Sequence, residues 1–293
     1  MKWLIYGSVL FASLNLMACE RSVQTEPVRV LPNAPEPTPF TRAYSMTEAP
    51  DGIRFYVQED GDQTLLYSVK RERGGWSDPT LVDLPHRGMI TGPHFSRFDG
   101  TFYFSTNAAF PSREGNNDLN IWRADYLGDG QFGTAEPLPM PEINTGANET
   151  DTATTEDGLV VFVTNHSRAG GGGYDLMQAR LSDEGVWTRE RMPEGINHFL
   201  TDDHIAMDPQ GRWLIFYSHR EPKAGNVDLW ISQRSEGGDW TVPENLGPFI
   251  NTRAIEFGAG LSWNAETFFF SRDGMLFEVS TDSLLSADRT FLE

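Results

Sequence analysis

One phrase recurs along this chain about every 53 residues: Asp-Leu opening a short apolar strand, a turn, then Trp or Phe, then Pro and Leu, closing on Ile-Asn. Asp118-Leu119, Asp175-Leu176 and Asp228-Leu229 start its clearest copies. Trp76, Phe132, Trp187 and Trp240 mark one point in successive units, and Ile143-Asn144-Thr145, Ile196-Asn197 and Ile250-Asn251-Thr252 mark the joins. A fixed period of this size means an array of units, none of which can bury its apolar face alone.

The units are built of strands. A turn such as Asp51-Gly52, Asp99-Gly100, Asp157-Gly158 or Gln210-Gly211 precedes a nearly continuous apolar run, as in Phe102-Tyr103-Phe104, Val160-Val161-Phe162 and Leu214-Ile215-Phe216; the fifth unit keeps the run, Phe268-Phe269-Phe270, behind Asn264-Ala265-Glu266. Glycine after aspartate supplies the positive φ of a tight hairpin, and unbroken apolar strands suit burial on both faces. With a short strand ahead of each turn, a second after it and a weak outer one containing proline, each unit has four strands. Four-stranded antiparallel sheets repeated around an axis form a β-propeller. Five units begin near residues 42, 88, 143, 196 and 250. The period-two and all-apolar patterns exclude a helical array, and a β-sandwich would not explain the repeated wording. The fifth unit lacks an outer strand of its own; Val28–Leu31, Phe40–Tyr44 or Thr290-Phe291-Leu292 is left to supply it, and closure with N-terminal help is favoured.

The wording Asp-Gly, aromatic strand, Ser-x-Arg, Asp-Leu-Trp, Gly-x-Trp-x-x-Pro, Ile-Asn-Thr resembles the TolB-like, WD-repeat-like propeller units of bacterial envelope proteins. Residues 196–252 carry it most fully, with Ser218-His219-Arg220, Asp228-Leu229-Trp230, Trp240, Pro243 and Ile250-Asn251-Thr252. The resemblance covers nearly all of residues 42–280 and implies a propeller that serves as an interaction platform in the periplasm or at the outer membrane. It names no ligand, since one fold hosts many functions.

The N-terminus fits that address. Lys2, the apolar run from Trp3 to Leu16 and Leu16-Met17-Ala18-Cys19 have the parts of a secretory signal, too short to span a bilayer. Leu-x-Ala-Cys resembles the lipobox, which makes Cys19, the one cysteine of the chain, the lipidated residue. Disulfides, thiolate metal sites and cysteine nucleophiles are then excluded from the mature domain. The expected organisation is a signal peptide over 1–18, a lipidated Cys19 with a tether rich in proline to residue 39, and a five-bladed propeller over 40–293, monomeric, facing the periplasm, with the outer membrane favoured over the inner. Net charge is −19, and −20 once residues 1–18, with Lys2 their one charged group, are removed. So acidic a surface repels phosphate backbones and excludes general nucleic-acid binding.

No Gly-x-Ser-x-Gly, His-Glu-x-x-His or Walker sequence occurs. Polar residues do cluster where the inner strands should begin: His94, Glu149 and Asp151, Asp202, Asp203 and His204, and Glu256. Converging at one mouth of the ring, they would form a concave ligand site. Two functions follow from that arrangement. One is a non-enzymatic platform for an envelope protein or cell-wall glycan. The other is a glycan hydrolase using two carboxylates from Glu149, Asp151, Asp203 and Glu256. No organic cofactor is expected, and a divalent cation at the mouth is a third use of the same residues. Arg168, Arg220 and Arg272 repeat at equivalent points and are expected to make structural pairs, while Asp118, Asp175 and Asp228 read as acceptors for turn amides. Gly170–Gly173 reads as a loop, with no Lys-Ser/Thr or helix to make a phosphate cradle.

Overall fold

The computed structural model describes residues 25–31, 42–84, 88–110, 117–166, 173–193, 195–287 and 289. Five four-stranded antiparallel sheets stand around an axis. Their inner strands are Ala43–Glu48, Thr91–Phe95, Glu149–Thr154, Asp202–Met207 and Glu256–Leu261, and each inner strand packs on that of the next blade until the fifth meets the first. The chain is a five-bladed β-propeller.

The unbroken apolar strands are explained by where successive side chains point. In the second strand of blade five, Phe268 and Phe270 enter a cluster with Ile215 and Leu229 of blade four, while Phe269 between them enters one with Met46 and Tyr56 of blade one. In blade four, Leu214 and Phe216 face Val161 and Leu176 of blade three, and Trp213 and Ile215 face blade five. Alternation along a strand thus buries odd and even positions against different neighbours. Five apolar clusters result among the described residues, one at each junction between blades.

The repeated Ile-Asn has a specific task. Asn144, Asn197 and Asn251 each accept a hydrogen bond from the backbone N–H of the third strand through Oδ1, at Ile121, Leu176 and Leu229, and donate through Nδ2 to the carbonyl of that same residue. One amide side chain therefore acts as a further ladder partner where the outer strand has ended.

The N-terminal segment closes the ring. Val28 and Arg29 pair antiparallel with Glu278 and Phe277 of the third strand of blade five, and Val30, 2% exposed, joins the cluster between blades five and one. Of the three candidates for the missing strand, Val28–Leu31 fills the place. Ala43 and Tyr44 belong instead to the inner strand of blade one, and Thr290-Phe291-Leu292 lies outside the described residues. The propeller therefore takes in residues ahead of the expected boundary at 40. Arg54 of blade one seals the junction with ion pairs to Glu48 at 2.9 Å and to Glu278 of blade five at 2.6 Å. Glycine is required there: a Cβ on Gly260 would strike the carbonyl oxygen of Met46. A short helix, Thr281–Ser286, capped by Ser280, follows the last strand. No helix among the described residues is long and apolar enough to cross a membrane.

Candidate functional site at the channel mouth

Every inner strand is interrupted at the same point. The register against the second strand slips after Tyr44, Thr91, Thr150, Asp203 and Phe257. The residue that follows has positive φ in all five blades: Ser45 (49°), Gly92 (56°), Asp151 (33°), His204 (46°) and Gly258 (66°). Such a bulge re-aims a side chain out of the ladder. Blades two and five use glycine, which adopts this conformation freely, and a Cβ on Gly92 would sit 2.8 Å from Asp151 Cα. Blades three and four place Asp151 and His204 there, side chains for which the conformation is strained, and strain of this kind concentrates at functional sites.

The bulges of blades three and four bring three of the candidate residues together. Asp151, Asp203 and His204 each offer one polar atom, and these atoms lie within 4.8 Å of one another. His204 Nδ1 is 3.6 Å from Asp151 Oδ1, the side chains being 18% and 9% exposed, and Nδ1 is buried with no hydrogen-bond partner. Burial works against a charged imidazole, but the two carboxylates outweigh it and raise the His204 pKa to about 9. Burial, reinforced by the charge of Asp151 and opposed by His204, raises Asp203 to about 7.

Aromatic rings box the imidazole. Tyr217 and Phe257 have centroids 5.4 Å from His204, and Tyr44 is 6.1 Å away edge-on. Tyr174, whose hydroxyl accepts from Asn148 Nδ2, is close enough for the charges of Asp203 and Asp151 to raise its pKa further than burial alone does. These rings come from blades one, three, four and five. Sequence reasoning placed none of them at the mouth: Tyr217 is one more letter in an apolar strand, and Tyr44 reads equally as part of a closing strand.

The other candidates lie elsewhere. Glu149, Asp202 and Glu256 occupy the first position of their inner strands and are fully buried. Glu149 accepts from Thr145 N, Thr145 Oγ1 and Thr164 Oγ1; Asp202 pairs with Arg220 at 2.9 Å; Glu256 accepts from Thr252 Oγ1 and pairs with Arg272 at 2.9 Å. They fasten the loop between blades to the strand it enters. Burial raises the pKa of all three against these bonds. The expected convergence of all seven residues is thus corrected by the bulge: the residues that open these strands lie ahead of the register shift and are already bonded within the blade. Arg220 and Arg272 have the structural role expected of them, while Arg168 and Gly170–Gly172 lie outside the described residues. Asp228 accepts from the backbone of Ala224 and Gly225, as a turn acceptor should. His94 lies deeper, toward the opposite end, with Nε2 2.9 Å from Thr154 Oγ1. Burial, and then Arg97, lowers its pKa to about 3, so its ring is neutral.

Below the mouth the channel is nearly filled. A cavity of about 20 Å³, lined in part by Ser45, Asp151, Thr152 and His94, has room for about one water molecule. Arg97 seals the far end, donating to the carbonyls of Ser262 and Trp263 in blade five. A ligand larger than a water or an ion does not fit in this cavity.

No protein-family model matches the chain, and no curated protein does. Solved structures do. An α-L-arabinofuranosidase from Lactobacillus brevis is 11% identical with a TM-score of 0.52, over 82% of this chain and 90% of that one. A glycosyl hydrolase from Bacteroides ovatus is 11% identical with a TM-score of 0.51, over 82% and 84%. TolB from Acinetobacter baumannii is 14% identical with a TM-score of 0.48, over 83% of this chain and 55% of that one, so this chain spans little more than half the TolB length. At these identities the likeness is one of fold.

Proposed function

We propose that this chain is a lipid-anchored envelope protein whose channel mouth binds the end of a glycan. The observation that carries the reading is the Asp151–Asp203–His204 group, gathered within 4.8 Å and walled by Tyr44, Tyr217 and Phe257. Carboxylates accept hydrogen bonds from sugar hydroxyls, and ring faces cover the apolar C–H faces of a sugar. The test is calorimetric titration with soluble cell-wall glycan fragments. Wild type should bind, and Asp151→Asn and Asp203→Asn should bind at least about tenfold more weakly, a difference of about 1.4 kcal/mol. No glycan binding by the wild type, or capture of a protein partner indifferent to both substitutions, would replace this reading with a docking surface elsewhere.

The anchor in this proposal is Cys19, supported by the lipobox-like Leu16–Cys19. Radiolabelled palmitate should enter the wild type and not Cys19→Ala. The strand directions favour a mouth turned away from the lipid. Thr25 donates from its backbone to Ser283 Oγ at 3.1 Å, at the end of the ring opposite the inner-strand starts. Cys19 precedes Thr25 by six residues, about 20 Å at full extension. The protein should therefore bind glycan equally well in lipid vesicles and in detergent; binding lost on vesicles would reverse the orientation.

One observation favours a second reading, hydrolysis. Asp203, whose carboxyl burial pushes up to about 7, offers an oxygen within 4.8 Å of one from Asp151, and a glycosidase works with two such facing carboxyl groups. In that case Asp203 is the acid and Asp151 the nucleophile. A bound glycan that gains no new reducing ends during prolonged incubation removes it.

A further inference from the structure

We infer that Asp151, Asp203 and His204 form a binding site for one first-row divalent metal ion, with Zn²⁺ or Mn²⁺ as its probe. The inference concerns the site itself and stands whether or not a glycan is the ligand. Geometry is its basis. A contact of 3.6 Å between His204 Nδ1 and Asp151 Oδ1 is too long for a hydrogen bond. It is close to the edge of roughly 3.4 Å expected between two ligands of a tetrahedral ion with bonds of about 2.1 Å. Asp203 offers a third atom within 4.8 Å of both.

Unsatisfied polar atoms point the same way. His204 Nδ1 is buried without a hydrogen-bond partner, as are Ser45 Oγ and Thr152 Oγ1. Ser45 and Thr152 are each 4% exposed, and both line the small cavity that Asp151 also lines. Buried polar atoms in a folded protein are normally bonded, and a site for an ion is one recognised reason for exceptions. The donor set selects the ion. Two carboxylates and one imidazole nitrogen suit first-row divalent ions better than Mg²⁺ or Ca²⁺, which prefer oxygen throughout. Two carboxylates also balance the charge of a divalent ion when the imidazole is neutral. Three protein ligands leave at least one position open, and the cavity below has room for about one water. The two left-handed backbone positions hold Asp151 and His204 aimed at this point.

The experiment uses the full chain in detergent, stripped with a chelator and titrated with ZnCl₂ and MnCl₂. The expected result is one ion per chain for the wild type, with a raised melting temperature. Asp151→Asn and Asp203→Asn should weaken binding by at least about tenfold, and surface Asp129→Asn should leave it unchanged. Wild type that binds neither ion at 1 mM overturns the inference, and so does unchanged stoichiometry and affinity in both site variants. Because the titration contains no glycan, its failure leaves the glycan reading standing, and a failed glycan titration leaves this one standing.

Discussion

His204 Nδ1 and Asp151 Oδ1 face each other at 3.6 Å across the junction of blades three and four, each carried on a backbone in the left-handed region. The equivalent residues of blades two and five are Gly92 and Gly258. A left-handed non-glycine residue costs on the order of 1 kcal/mol. His204→Gly should therefore leave unfolding free energy within about 1 kcal/mol of wild type, or raise it, while glycan binding falls at least about tenfold. Urea denaturation beside calorimetry checks the pair of outcomes, and a large loss of stability would mean that the imidazole chiefly holds the ring together.

The asparagine at each join should be worth more than its surface area suggests. Asn251 accepts from Leu229 N and donates to Leu229 O and Asn245 Oδ1, all buried. Asn251→Ala strands these partners, and each unsatisfied buried group costs about 1–3 kcal/mol. A destabilisation of at least about 2 kcal/mol in urea is expected, against nearly none for exposed Glu184→Ala.

Acid should weaken the fold partly through His94. Its pKa in the folded protein is about 3 against 6.5 when unfolded, so between these values the unfolded chain binds more protons. Stability is therefore complete above about pH 6.5 and falls as pH drops toward 3. His94→Gln, which keeps a polar atom for Thr154, should flatten that limb of a melting-temperature profile. An unchanged limb would assign acid sensitivity to other groups.

Removing the closing strand should open the ring. Deletion through residue 31 takes Val30 from the cluster between blades five and one and frees the edge of Met275–Ser280. Deletion through residue 24 leaves both in place. The longer deletion should cost at least about 2 kcal/mol and promote association through the bare edge. Thermal melting and size-exclusion chromatography report the two effects.

The ring was legible because it depends on local pattern. Alternate side chains of Phe268-Phe269-Phe270 need apolar partners on two sides, and only a closed array supplies them all. Val28–Leu31 was recognisable as one of three candidate closing strands, and the recurring Asn by its spacing. The polar candidates were legible as a set, but their division was not. Glu149 and Asp151 are two residues apart in one strand, yet Glu149 is bound within its blade while Asp151 faces the channel.

What the sequence by itself determined is therefore the number of blades and their strands, since period, turn residues and apolar alternation are properties of neighbours along the chain; which of three segments closes the last blade was decided by the structure. Only the tertiary structure decided which acids meet. The bulge that turns Asp151 and His204 inward lies where blades come into contact, as the 2.8 Å clearance a Cβ on Gly92 would have from Asp151 Cα shows. Tyr44, Tyr174, Tyr217 and Phe257 join them from four blades because closure brings distant positions to one axis, a relation that no short stretch of sequence records.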